Sequence, residues 1–284
     1  MNALRTLTPL QIASYSTLYC AASASAFLFF NDDSLPSTPT TPCGCTTHQS
    51  QHAVASFNDI AFDYDMKVYF EELALGLPLL RRHLLSNARG NTVEFACGTG
   101  GNLRYYSFGD EPNSVRSVIM TDSSENMLKS TACKINDSSH LNSREDKSRI
   151  RLISTNVVKI LENPSIFPVA KFDTVVDTFG VCSYDDPKLA LQTMVKVCAP
   201  EGQLLLLEHG KSTYFVQIVM EKVNTMLQNG LERHIAGWGG CVWNRDIEAL
   251  LEEGGVNHEN GFDVSISKWH FGTTYKIVAK RRRL

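Results

Sequence analysis

Short runs of consecutive apolar residues alternate along the chain with longer stretches whose apolar residues recur three and four apart, and this alternation predicts its elements. Residues 92–96, 115–121, 149–154, 172–178 and 203–208 read as strands, the last of them (QLLLLE) as the most deeply buried. Residues 126–135 read as an amphipathic helix with Leu128, Ala132 and Ile135 inward. A second helix follows Asp185-Asp186-Pro187, an acidic cap with proline in the first turn, and presents Leu191, Met194, Val195 and Cys198 on one face. Residues 57–87 carry helical patterning with Leu73, Leu77, Leu80 and Leu84 inward, and Pro78 breaks or restarts that helix. Residues 212–234 read as a long helical insertion with Phe215, Val219, Val223, Met226 and Leu227 on one side, an apolar lid or, in preference, plain core. Asn244 is the expected cap of a last helix that uses Ile247, Leu250 and Leu251. Residues 262–269 and 273–280, joined by a short glycine turn, read as a hairpin. Strands alternating with amphipathic helices predict an α/β fold: a doubly wound, seven-stranded, mostly parallel sheet with a C-terminal antiparallel hairpin. Ligands then bind at the carboxyl ends of the strands.

The N-terminal third has a different texture. Residues 6–31 carry no charge and residues 10–30 are mostly apolar, long enough to span a bilayer but weakened by interspersed Gln, Ser and Thr. A membrane anchor, a cleaved secretory signal and an organelle presequence all fit this stretch. Residues 34–56, rich in Pro, Ser, Thr and Gln, read as a linker. The expected organisation is a targeting or anchor segment over 1–33, a flexible linker over 34–56 and one folded domain over 57–284.

Charge and cysteine content narrow the chemistry. A net charge of -3 on 284 residues gives no reason to expect nucleic acid binding, and the basic run from Lys280 to Arg283 reads as a solvated end. The eight cysteines form no disulfide framework, and no C-x-x-C pair of the zinc-binding kind occurs; Cys43-Gly44-Cys45 is too tight for one. Cys97, Cys133, Cys182, Cys198 and Cys241 read as reduced thiols, and no metal is expected.

The strongest candidate chemistry lies in residues 91–103, NTVEFACGTGGNL, a strand that breaks into a glycine loop before a stretch that reads as helical from Asn102. Such a loop sets bare backbone and a positive helix end beside a ligand. Leu103 stands where a G-x-G-x-x-G fingerprint needs its third glycine, and no Gly-Lys-Ser/Thr follows, so neither a dinucleotide site nor a P-loop is implied. Asp122 ends the next strand, where a carboxylate can accept both hydroxyls of a ribose. It could instead cap the following helix, with Glu125 completing a capping box.

The run from Glu94 through Ala96, Cys97, Gly98 and Gly100 resembles the first motif of the class I methyltransferases that use S-adenosylmethionine, with Ala96 in place of the first glycine. Within that class, DTFGVCSYDDP (177–187), LLLLEHG (204–210) and GCVWNRDI (240–247) are similar to the methyltransferase-like proteins of the fungal mitochondrial inner membrane. They are more distantly similar to the membrane-attached thiol methyltransferases of animals and to the ubiquinone and menaquinone C-methyltransferases. The resemblance covers about residues 57–280. It implies S-adenosylmethionine as cofactor, held by Glu94, Ala96, Cys97, Gly98, Gly100, Asp122, Asn156, Thr178 and Phe179. Asn156 would meet the adenine amino group, or is an ordinary turn residue.

Phe57, Ala61, Tyr64 and Asp65 match the F-x-x-x-A-x-x-Y-D pattern of helices that cover the cofactor in that family, and Tyr64 either lines the site or packs on the sheet edge. Cys182 and Ser183 are expected to line the acceptor pocket. His209, ending a strand on the ligand side, is the candidate base for an acceptor that must lose a proton, the alternative being a histidine bonded to loop backbone. The resemblance implies a methyltransferase acting on a small, lipophilic acceptor, associated with a membrane through its N-terminal segment. The implied membrane is the mitochondrial inner membrane, with the endoplasmic reticulum or another endomembrane as alternative. A non-catalytic assembly or scaffold factor with the same fold is the rival, towards which Ala96 and the missing acid at Asn156 lean. An RNA methyltransferase is disfavoured by charge and by the absence of a N/D-P-P-Y/F motif after the fourth strand.

Overall fold

The computed structural model describes residues 57–138, 141, 144–160, 167, 171–237 and 240–283. The expected anchor segment and linker lie outside the described residues. Among the described residues no helix is long and apolar enough to cross a membrane.

Seven strands, β1 (Gly90–Phe95), β2 (Val115–Asp122), β3 (Ile150–Ser154), β4 (Phe172–Thr178), β5 (Cys198–His209), β6 (Phe262–Trp269) and β7 (Thr274–Arg281), form one sheet in the order β3-β2-β1-β4-β5-β7-β6. The first five run parallel, and β7 is antiparallel to both β5 and β6. The run of leucines in β5 shows why the parallel strands read as continuous apolar segments. Leu204 and Leu206 enter the core on one face, with Phe95, Phe172 and Met194, while Leu205 and Leu207 enter the core on the other, with Leu84, Met120 and Val176. Helices cover both faces, so no side of a central strand meets water.

The first two helices, α1 (Tyr64–Ala74) and α2 (Leu77–Leu85), divide where Gly76 turns left-handed, with Pro78 in the first turn of α2. Proline lacks the N–H that a first turn leaves unpaired, so it restarts the helix. Leu77, Leu80 and Leu84 are buried as their spacing predicts, but Leu73 is 57% exposed, on a helix, α1, that buries no residue. Between β2 and β3 lie α3 (Glu125–Asp137) and a single short helix, α4 (Arg144–Ser148). Ser124 caps α3, accepting from the Met127 N–H at 3.2 Å, so Asp122 is not the cap. The helix after β4, α5 (Pro187–Val197), is capped by Asp186 as expected.

Two further expectations fail and a third holds only in part. The long insertion forms α6 (Gln217–Gly237), but of its expected inner face only Leu227 is buried; Phe215, just before it, is 86% exposed. It is not core. The last helix, α7 (Ile247–Glu253), is capped by Asp246 rather than Asn244, with the Ala249 N–H donating at 3.1 Å. The basic tail is solvated only in part: Lys280 and Arg283 are exposed, while Arg281 donates to the Cys198 carbonyl at 2.9 Å and lies over the Phe262 ring.

Candidate active site

The carboxyl ends of β1, β2, β3 and β4 open into a cavity of about 460 Å³ at the place where strand order reverses between β1 and β4. Its floor is the loop after β1. Ala96, where a glycine was expected, takes a left-handed φ of 45° and so adopts the glycine conformation with a methyl group attached. Gly98 follows at φ 56°, and a Cβ placed there would meet no atom within 4 Å, so this stretch of cavity lining is bare backbone. Gly100 does not reach the cavity. Its missing side chain instead lets the loop pass Thr131 of α3, whose Cγ2 would lie 3.0 Å from a Cβ.

After Asn102 the chain makes only one 3-10 turn, Leu103–Tyr105, and not the expected helix. The loop therefore offers no helix dipole. Asn102 explains the departure: its amide donates to Glu94 and to the Thr178 hydroxyl, both at 2.9 Å, and its oxygen accepts from Arg81 at 3.0 Å. A residue fastened to two strands and to α2 is not free to enter a helix.

Glu94 was expected at the cofactor, but it is buried beneath the loop, where Tyr106 and Asn102 donate to its two oxygens at 2.6 and 2.9 Å. Burial pushes its carboxyl up to about 7, against the pull of those two hydrogen bonds and of Arg81. Arg81 was missed. It lies in an ordinary-looking helix, yet its buried guanidinium donates to Asn102, to Thr178 at 2.7 Å and to Glu72 at 2.8 Å, and lines the cavity 5.1 Å from the Phe179 ring. A single buried arginine has no sequence signature.

Asp122 stands at the cavity edge, its oxygens accepting from the Gly98 N–H at 2.9 Å and the Ser124 N–H at 2.8 Å. A carboxylate oxygen accepts two hydrogen bonds, so each keeps capacity for a ligand. Burial raises its pKa while those backbone donors oppose the rise. Ala96, Cys97, Asn156, Thr178, Phe179, Tyr64 and Ser183 also line the cavity, with Met127, Val157 and Leu189 as apolar walls. Asp65, from the helix pattern, closes α1 onto the loop. It accepts from the Thr99 hydroxyl at 2.6 Å and pairs with Lys134 of α3.

Cys182 and His209 do not line the cavity. Cys182 is buried behind Ser183, and the His209 ring lies against Phe179 with centroids 4.4 Å apart. Its Nδ1 has no hydrogen-bond partner among the described residues, so it is not a histidine held by loop backbone through that nitrogen.

A parallel sheet reversed between β1 and β4, closed by an antiparallel β7 and carrying an acid at the end of β2, defines the class I methyltransferase fold. The model of the ubiE/COQ5 methyltransferase family matches residues 46–226, and the chain belongs to that family. It is 32% identical over 238 residues to the mitochondrial methyltransferase OMS1 of Saccharomyces cerevisiae, an alignment covering 80% of this chain and 45% of that protein. It is 28% identical over 172 residues to the ubiquinone/menaquinone biosynthesis C-methyltransferase UbiE of Stutzerimonas stutzeri, covering 59% of this chain and 61% of that one. The chain thus spans about half to three-fifths of the length of these relatives. Among solved structures it is similar to DhpI in its complex with SAH, with a TM-score of 0.53 at 16% identity over 83% of this chain and 98% of that one. A possible histamine N-methyltransferase of Thermotoga maritima gives 0.53 at 16% identity, over 82% and 100%. At such identities these likenesses show the fold.

Proposed function

We propose that the chain is an S-adenosylmethionine-dependent methyltransferase acting on a small, lipophilic acceptor at a mitochondrial membrane. The observation that carries this is Asp122. Released from helix capping by Ser124, it faces the cavity beside bare Gly98 backbone, where a ribose can use both carboxylate oxygens. The cavity suits the rest of the cofactor: Asn156 for the adenine edge, Val157, Met127 and Leu189 for its faces, Thr178 and Phe179 towards the methionine end. S-adenosylmethionine supplies a methyl group on a sulfonium, transferred by in-line displacement, so the protein's task is alignment and exclusion of water. Asp65 serves that task by holding α1 across the glycine loop, and Arg81 fixes Thr178 and Phe179 from behind.

The lipophilic acceptor and the membrane are supported by the outer face of α1. Tyr64, Val68 and Glu72 turn to the cavity while Met66, Tyr69, Phe70 and Leu73 are exposed, and Phe215 and Ile218 are exposed at the start of α6. Exposed apolar groups of this size on α1, a helix that lines the cavity, suit a lipid surface or lipophilic ligand. A relative named as mitochondrial supports the compartment. His209 receives no role as a base, since Phe179 and not His209 lines the cavity.

Equilibrium binding of S-adenosylmethionine to the full chain tests the proposal, with Asp122→Ala as comparison. Removing both ribose acceptors should weaken binding at least tenfold, measured at a temperature where the variant, whose Gly98 and Ser124 N–H groups also lose their acceptor, is still folded. Equal affinity of the two proteins would end this assignment. Tight binding without methyl incorporation from labelled cofactor into any mitochondrial fraction would favour the scaffold factor instead.

A further inference from the structure

Three donor atoms outside the cavity remain unused by any role described above. Cys182 follows β4, His209 ends β5, and Cys241 lies between α6 and α7. No short-spaced motif joins them in sequence. The fold brings a ligand atom of each within 4.8 Å of the other two, and the two Sγ atoms are 3.2 Å apart. Both thiols are buried, at 1% and 7% exposure. Zinc–sulfur bonds of about 2.3 Å and zinc–nitrogen bonds of about 2.0 Å at tetrahedral angles place ligand atoms roughly 3.5–3.8 Å apart. The cluster therefore needs only small side-chain rotations.

The surroundings hold the ligands in place. The Val242 N–H donates to the Cys182 carbonyl at 2.9 Å. Arg245 donates to that same carbonyl at 3.2 Å and to the Tyr184 carbonyl at 2.7 Å. The loop bearing Cys241 is thus fastened to the loop bearing Cys182, the kind of supporting shell that fixes metal ligands. The donor set is soft: two sulfurs and an imidazole select zinc-like transition metals over magnesium or calcium.

We propose that Cys182, Cys241 and His209 bind one Zn2+ ion, leaving a fourth position to water. On binding, the two thiols release their protons to solvent, so that two thiolates balance one divalent cation. Three protein ligands with a fourth position open is the pattern of reactive rather than closed structural zinc sites. The ion would sit directly behind Phe179 and Ser183, which line the cavity. This inference does not rest on methyl transfer, because metal binding is measured without cofactor or acceptor.

The test uses the full chain carrying Cys43→Ser and Cys45→Ser, so that the Cys43-Gly44-Cys45 pair supplies no thiols. Purified under reducing conditions, loaded with Zn2+ and dialysed against metal-free buffer, this parent should retain about one zinc per chain by mass spectrometry. Replacing zinc with Co2+ should give the near-ultraviolet thiolate-to-cobalt absorption and strong visible bands of a tetrahedral site. In competition with a chromophoric chelator, Cys182→Ser and Cys241→Ser should each weaken binding at least 100-fold and His209→Ala at least tenfold, whereas Cys133→Ser, an exposed thiol, should change nothing. Three results would overturn the proposal: no thiolate–cobalt band in the parent, an unaltered band in Cys182→Ser, or a disulfide between Cys182 and Cys241 in protein kept reduced. The first of these uses no substitution within the site and stands even where a variant fails to fold.

Discussion

Phe179 lies between two regions that differ in how far their buried polar groups are paired. On the side of the glycine loop, Arg81 lies 5.1 Å from its ring, and Asn102, Thr178, Tyr106 and Glu94 are joined in one hydrogen-bonded network. On the side of β5, the His209 ring lies 4.4 Å away, and its Nδ1 has no hydrogen-bond partner among the described residues. Unpaired buried polar atoms are costly, and a protein keeps few of them without a use. The first region is a largely paired scaffold that lines the cavity, with Arg81 Nε left without a partner among the described residues. The second gathers the Cys182, Cys241 and His209 donor atoms, and a cation is the ligand that suits them.

The comparison can be broken most severely at Arg81. Arg81→Met should destabilise the fold by about 3 kcal/mol, since Glu72, Asn102 and Thr178 each lose a partner in a buried setting. Chemical denaturation measures this, and a loss below 1 kcal/mol would show that the network is not a scaffold. Glu94 tests the same network through pH. Its folded pKa of about 7 stands above the ordinary value of 4.5, so its contribution to stability is fully present below 4.5 and is lost as pH rises through 7. Relative to Glu94→Gln, the native protein should lose about 3 kcal/mol between pH 4.5 and pH 8. A constant difference across that range would place the proton elsewhere, for instance on Asp177, which burial pushes up to about 6.

Smaller changes sharpen the picture. Asp65→Asn removes an ion pair with the half-exposed Lys134 and should cost under about 1 kcal/mol of stability. It should nevertheless weaken cofactor binding several-fold by loosening α1 from the glycine loop, an effect that calorimetric titration separates from unfolding. Ala96→Gly should stabilise by about 0.5–1 kcal/mol, or roughly 2 °C in melting temperature, because a left-handed φ of 45° strains alanine more than glycine's backbone entropy costs. A destabilised Ala96→Gly protein would mean that the methyl group packs against the Gly180 turn, where a Cβ would come within 2.8 Å of it.

Local patterns were legible wherever one element fixes its own residues. The parallel strands, the break before Pro78, the Asp186 cap and the acid at the end of β2 all follow from short stretches of chain, because apolar periodicity, proline stereochemistry and capping act within a few residues. Misreadings began where a neighbour from another strand intervened. Asn102 was expected to open a helix and instead joins Glu94, Thr178 and Arg81. Glu94 was expected at the ligand and instead is sealed by Tyr106. Leu73 and Phe215 have the spacing of core residues, yet no element among the described residues covers them.

The sequence by itself determined the alternation of strands and helices, the carboxyl edge as the place of the cavity and Asp122 at the end of β2 beside it. Each of these depends on neighbours along the chain. Only the tertiary structure decided which polar residues are buried together. Arg81 meets Thr178 across 97 positions, and Cys241 meets Cys182 across 59. Such encounters are set by strand order and loop packing, and no periodicity along the chain records them.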